Sequence, residues 1–231
     1  MIKKAVADIF HLLYPRLCPG CGHELFGKTE TICPSCINDL PLTGFCDHAD
    51  NPVEKIFWGR LPLAEASAYL YFTKRSILQN LMHAFKYKGN TDIGYFLGRR
   101  MGEALRQSER YKNIDAIIPL PLFYKKERKR GYNQAAILSG GIAEVTGFEL
   151  FSDVIVRRGP TPSQTKRNRE QRWQNTEGQF ELRYPEKIAG RQALLVDDVI
   201  TTGATLESCG MELLKAPDFR LSIAVLAYTS L

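Results

Sequence analysis

Ala193-Leu194-Leu195-Val196-Asp197-Asp198-Val199-Ile200-Thr201-Thr202-Gly203-Ala204-Thr205 changes character twice within one short run. Its first four residues are apolar and suit a buried parallel strand. Two adjacent carboxylates, Asp197 and Asp198, come where such a strand is expected to end. Two hydroxyls, a glycine and a further hydroxyl follow. From Thr205 the apolar residues Leu206, Met211, Leu213 and Leu214 mark a helix. A strand, a short polar loop and a helix start make an anion cradle, because loop amides and the positive end of the helix dipole face the same point. Gly203 lets the backbone approach a ligand without a side chain in the way. Thr201, Thr202 and Thr205 add hydroxyl donors, and Ala204 adds its amide. Carboxylates beside a phosphate repel it, so they need another task. Vicinal sugar hydroxyls suit them, with a magnesium ion as companion. The plainer readings are a generic strand-to-helix turn or a receiver-type acid pair. Receiver acids sit early in their domain, whereas this pair sits late.

These residues resemble the phosphoribosyl pyrophosphate (PRPP) signature of type I phosphoribosyltransferases: four apolar residues, two acids, two apolar residues, Thr-Thr-Gly, any residue, Thr. The match holds at every position from Ala193 to Thr205. The resemblance implies an α/β fold, a parallel sheet flanked by helices, with PRPP held by Asp197, Asp198 and Thr201 to Thr205.

The chain has 231 residues, of which 44% are hydrophobic and 24% charged, enough for one sizeable core and a small appendage. The formal net charge of +6 is concentrated. From Phe123 to Arg172 there are eleven Lys and Arg against five Asp and Glu, while the remainder is balanced at twenty of each. This central region suits a polyanion, either pyrophosphate or nucleic acid, with a merely solvated basic surface as the plainer reading. No apolar run approaches the length needed to span a bilayer. At the start, Asp8 and His11 interrupt what would be the apolar part of a signal peptide, and Val6, Ile9, Phe10 and Leu13 fall at helical spacing. An amphipathic helix in a cytoplasmic protein is expected.

Four of the six cysteines form two knuckles, Cys18-Pro19-Gly20-Cys21 and Cys33-Pro34-Ser35-Cys36. Each points two thiolates at one place, and together they complete a tetrahedron suited to zinc. Two disulfides or a redox pair are the rivals; a reducing cytoplasm disfavours the first and the matched pairs argue against the second. A closed four-sulfur site has no open position, so its role is structural. His23, Cys46 and His48 are read as ordinary loop residues, and Cys209 as a small buried apolar residue.

Turn formers Pro41, Gly44, Pro52, Gly59 and Pro62 then suggest a linker. The expected organisation is a helix and zinc segment over 1–45, a linker over 46–63 and the main domain over 64–231. Strands are expected at Ala64 to Phe72, Ile114 to Ile118 and Leu221 to Ala227. Helices are expected over Lys74 to Tyr87, Thr91 to Arg106, and from Asn133 as N-cap to about Thr146. Lys86-Tyr87-Lys88-Gly89 supplies cations and a glycine for a helix end. Between strand and helix, Pro119-Leu120-Pro121-Leu122 reads as a stiff loop handing over to Lys125, Lys126, Arg128, Lys129 and Arg130. Lys125, Arg128 and Arg130 are the candidates for holding pyrophosphate at a strand's carboxyl end.

Pro119-Leu120-Pro121, Arg130-Gly131-Tyr132-Asn133-Gln134, Asn175-Thr176-Glu177-Gly178-Gln179-Phe180 and the cysteine knuckles, taken with the PRPP signature, resemble the ComF competence family. Two departures stand out. Asp47 and His48 follow Cys46 where some relatives carry a third cysteine pair, so a second metal beside the zinc of the knuckles is not expected. Gln164-Thr165-Lys166-Arg167 replaces Gln-Ser-x-Leu in the mobile loop, so no catalytic role is carried over to it. The polar run Thr161 to Trp173 is expected to be a lid, because water competes for a reactive sugar.

The resemblance implies magnesium-dependent PRPP binding and transfer of the phosphoribosyl group to an acceptor that no motif names, with Asp197 and Asp198 as the catalytic pair. It also implies a role in DNA uptake, with single-stranded DNA and other competence proteins as partners. Base stacking would then fall to Tyr124, Tyr132 and Trp173. The alternative is a non-catalytic DNA-binding factor with PRPP or a nucleotide as regulator. Phe72, His83, Phe85 and Tyr87 are candidates for stacking on an acceptor base, although aromatics at helical spacing are more often core.

Overall fold

A computed structural model describes the protein over residues 15–25, 30–159 and 178–229. The expected N-terminal helix, the lid at 161–173 and residues 175–177 lie outside the described residues.

Strand β6 (Gln192–Ile200) is the third of five parallel strands. The order across the sheet is β1 (Ala66–Tyr71), β7 (Arg220–Tyr228), β6, β2 (Ala116–Pro119) and β3 (Glu149–Leu150). Leu195 pairs with Ile223 on one side and with Ile118 on the other. Ala193 to Val196 are fully buried, as a strand covered on both faces requires.

Side-chain alternation divides the core in two. Leu194 and Val196 join Leu70, Ile117 and Leu226 in a cluster closed by helices α1 (Pro34–Asn38), α3 (Ile77–Tyr87), α4 (Thr91–Gln107) and α6 (Gln134–Thr146). Ala193 and Leu195 join Ala68, Ile118 and Val225 in a second cluster. It is closed by α2 (Pro52–Phe57), α7 (Ala204–Leu213) and the antiparallel hairpin β4 (Ile155–Arg157) and β5 (Phe180–Leu182). The result is a three-layer α/β sandwich.

Helices α4 and α6 touch through glycine. A Cβ at Gly98 would collide with the Leu138 carbonyl oxygen, and one at Gly141 with the Tyr95 carbonyl. Bare backbone therefore sets their separation.

The turn-rich run expected as a linker contributes to the core. Val53, Phe57 and Leu61 are buried in the second cluster. Buried Asn51 organises the run: its Oδ1 accepts from the amides of Val53 and Glu54 as the cap of α2. Its Nδ2 donates to the carbonyls of His48 at 3.0 Å and Ala66 at 2.7 Å.

The cation run differs from expectation. It forms a short helix, α5 (Tyr124–Arg130), closed by Gly131 at φ 86°. Lys, Arg and Glu are good helix formers, and the cations of the last turn complement the helix dipole. With no apolar stripe to bury, the helix stands exposed on the surface.

Candidate functional site

At the carboxyl end of β6 the alternation that built the core separates the two acids. Asp198 continues the side of Leu194 and Val196, where α3 lies, and its Oδ2 meets Lys86 Nζ at 2.7 Å. Asp197 continues the side of Ala193 and Leu195. Burial, then the charge of Asp198, pushes its carboxyl up to about 7, against the pull of the Asp198 amide, Lys86 and Arg157. That amide donates to Asp197 Oδ1 at 2.8 Å. Half-buried Arg157 is shifted down by burial, and the nearby Cys209 and Asp197 oppose the shift.

Beyond buried Ile200 the chain leaves the sheet. Thr201 and Thr202 are exposed, Gly203 is buried, Ala204 is exposed and Thr205 is half-buried. Gly203 sits at φ 72° as the N-cap of α7, with no side chain capping the helix. The first-turn amides therefore have neither an intrahelical acceptor nor a capping side chain. A Cβ at Gly203 would press on Ile56 Cγ2 at 2.8 Å and Phe57 Cε1 at 2.9 Å, so close packing on α2 requires glycine here as well as the left-handed backbone. Arg60 fastens the loop from outside. Its Nη1 donates to the carbonyls of Ile56 at 3.0 Å and Thr202 at 3.2 Å, and its guanidinium pairs with Glu207.

The second loop runs beside the first. The Leu120 amide donates to the Val196 carbonyl at 2.8 Å, and Asn133 Nδ2 donates to the Leu120 carbonyl at 3.0 Å. Asn133 also caps α6 by accepting from the Ala135 amide. The motif around it is thus a junction. Gly131 ends α5, the Tyr132 hydroxyl donates to the Phe85 carbonyl, and the Tyr132 ring stacks on Phe85 at 5.9 Å. Arg130 donates to Gln134 Oε1 at 2.6 Å and lies over the Tyr87 ring at 5.8 Å. Lys125 and Arg128 are exposed on α5.

At the other end of the described chain, one sulfur each from Cys18, Cys21, Cys33 and Cys36 lie within 4.8 Å of one another. Amides of Cys33 and Cys36 donate to the sulfurs of Cys18 and Cys33 at 3.4 and 3.5 Å. Burial and then the neighbouring thiols push the Cys36 thiol up, so four thiolates crowded this closely need a cation. This donor set fits zinc, with each knuckle giving two ligands. Among the described residues no other such group exists. Cys46 packs in the core with its Sγ 3.5 Å from Ser67 Oγ, and burial pushes its thiol up.

A family model described as a double zinc ribbon domain matches residues 9–61. Competence protein F of Haemophilus influenzae is 29% identical over 210 residues, 89% of this chain and 87% of that protein. Competence protein ComFC of Streptococcus pneumoniae is 26% identical, over 82% of this chain and 77% of that one. The chain is similar to these competence proteins along most of its length. The DNA utilization protein YhgH of Escherichia coli K12 is also similar, 26% identical over 80% of this chain and 79% of that protein.

Among solved structures, glutamine PRPP amidotransferase from B. subtilis aligns at a TM-score of 0.42 and 16% identity, covering 62% of this chain and 30% of that one. Adenine phosphoribosyltransferase from Leishmania tarentolae aligns at 0.40 and 11%, covering 82% and 94%.

Three side chains at the site escaped sequence reasoning. Lys86 was expected to serve a helix dipole and instead reaches Asp198. Arg60 and Arg157 carried no motif at all. Lys86 and Arg60 meet Asp198 and Glu207 across a long stretch of chain, and Arg157 acts on Asp197 through charge from a distant position in sequence, so no local spacing encodes these relations.

Proposed function

We propose that the end of β6 and the loop into α7 bind PRPP with magnesium, in a protein that acts in DNA uptake as its relatives' names suggest. The observation that carries the reading is an uncapped helix start. It has two exposed hydroxyls and a glycine held tight against α2, and it directly follows paired carboxylates. In this reading the amides and hydroxyls of Thr201 to Thr205 take the 5′-phosphate. Asp197 and Asp198 accept the ribose hydroxyls and place the metal, which would neutralise charge on the pyrophosphate. Lys125, Arg128 and Arg130 meet the pyrophosphate. Transfer breaks the bond from C1 of the sugar to pyrophosphate and forms one to the acceptor. Nearby carboxylate charge stabilises the sugar cation between these events.

Calorimetry with magnesium and PRPP tests the binding. The parent is expected to bind, and Asp197→Asn combined with Asp198→Asn to lose at least about ten-fold in affinity, or 1.4 kcal/mol. Equal binding by parent and double variant sinks the assignment. Pyrophosphate release across a panel of acceptors then reports turnover.

A second reading, single-stranded DNA binding, is favoured by the relatives' names and by one surface. Lys125, Lys126, Arg128 and Lys129 stand exposed on α5, with Tyr124 and Tyr87 at 54% and 67% exposure. Cations with open aromatic rings suit phosphates and unstacked bases. Trp173, expected to assist, lies outside the described residues. Oligonucleotide binding that weakens steeply with salt supports this reading, and no binding at low salt removes it.

A further inference from the structure

Among the described ion pairs, Lys86 to Asp198 is the one that joins a cation to the twin carboxylates. Both side chains are well shielded, at 20% and 15% exposure, so water screens the pair far less than a surface one. The platform beneath Lys86 is fixed. Phe85 is fully buried, its carbonyl accepts from the Tyr132 hydroxyl, and the Lys88 amide closes the helix on the Ala84 carbonyl at 3.1 Å. The flexible part is the lysine's own four-carbon stem.

We propose that Lys86 makes divalent-metal binding at Asp198 conditional on a phosphate-bearing sugar. The inference rests on the PRPP reading of the same site. With the site empty, the ammonium occupies the Asp198 carboxylate, and a divalent cation approaching the same oxygen meets a like charge. When a diphosphate enters, the ammonium gains an anion of higher charge, and the Coulomb attraction grows in proportion to that charge. It swings across, and the carboxylate is freed for the metal or the ribose hydroxyls. No proton moves and no covalent bond changes. Metal and sugar diphosphate then bind with positive coupling, each raising the other's affinity by the same factor. Neighbouring cations are less suited to this exchange. Arg130 is engaged by Gln134 and the Tyr87 ring, and Lys125 and Arg128 stand out on α5.

The test uses the full chain, with manganese as an electron-spin-resonance probe for the divalent ion. Free manganese is titrated with and without PRPP into the parent, Lys86→Met and Lys86→Arg. Lys86→Met is expected to bind manganese alone at least about ten-fold more tightly than the parent, and PRPP at least about ten-fold more weakly. Coupling between the two should largely vanish. Lys86→Arg keeps a mobile cation and should retain the coupling. Should Lys86→Met lose its cooperative thermal transition, Lys86→Gln gives the same reading. A purely structural ion pair predicts a lower Tm with both affinities within about two-fold of the parent, and that result overturns the proposal. A parent that never binds PRPP sinks the functional reading instead. Tighter manganese binding by Lys86→Met would still show that the ammonium guards the carboxylate, and unchanged manganese binding would show that it does not.

Discussion

Asp197 stands where a buried strand gives way to a polar loop, and its carboxyl records the conflict. Burial and the charge of Asp198 raise it from an ordinary 3.8 to about 7. Between those values the folded chain keeps a proton that the unfolded chain has released. This residue's contribution to stability is therefore greatest below the unfolded value and is lost as pH rises through the folded one. Without ligand, the parent is expected to lose thermal stability from about pH 4 to about pH 7 more steeply than Asp197→Asn. Thermal melts across that range check this, and parallel profiles would contradict it. The acid pair itself was legible in the sequence, since adjacent carboxylates after an apolar run have few other uses. Its division between two sheet faces follows from strand alternation, but the sequence alone does not say how far the strand continues. Here β6 runs on to Ile200, and the alternation that carries through both acids reverses just after them, with Val199 against the first cluster and Ile200 in the second.

Most core elements were legible from hydrophobic spacing. The strands β1, β2, β6 and β7 and the helices α3, α4 and α6 fall within a few residues of expectation. The short pieces were not. Strands β3, β4 and β5 are too brief to show a period, and α5 has no apolar face to reveal it. The turn formers of 39–63 suggested an open connection, because proline and glycine mark loops wherever they occur. Which loops lie on the core depends on a capping side chain such as Asn51 and on distant partners. The glycine contact between α4 and α6 has a visible trace in Gly94, Gly98 and Gly102, one turn apart, although such spacing has meaning only once the facing helix is known. Gly98→Ala forces a methyl group into the Leu138 backbone, and backbone cannot rotate aside. It is expected to cost about 1–3 kcal/mol in urea unfolding, against the small gain that alanine brings to a solvated helix position. A variant as stable as the parent would mean that the helices separate freely, and the close approach would then have no structural weight.

At the scale of the whole chain, the cysteine site and the main sheet share one hydrophobic cluster. Cys18 and Cys36, each 1% exposed, lie with Leu25, Ile32 and Leu40 in the cluster that holds Leu78, Leu81 and the α3 face of the sheet. The Gly20 carbonyl accepts from Asn80 Nδ2 on α3 at 2.9 Å. Further along, α2 falls within the stretch matched as a double zinc ribbon and packs against the loop at Gly203. An appendage held by a metal alone would unfold by itself when the metal left. A segment built into the core takes its neighbours with it, because the buried sulfurs and leucines lose their geometry together. Zinc removal by a chelator is therefore expected to lower the Tm of a single cooperative transition by at least about 5 °C, with the whole chain moving as one. Cys36→Ser should reproduce the shift and lose bound zinc. Differential scanning calorimetry with metal analysis reads both. A new low-temperature transition, with the main one unmoved, would show that the segment is coupled to the sheet by contact but not by stability. The same experiment in a Trp173→Phe background, followed at Trp58, which is 59% exposed at the end of α2, tests whether the disturbance reaches the loop at Gly203. Its emission should shift with the main transition if α2 links the cysteine segment to the site.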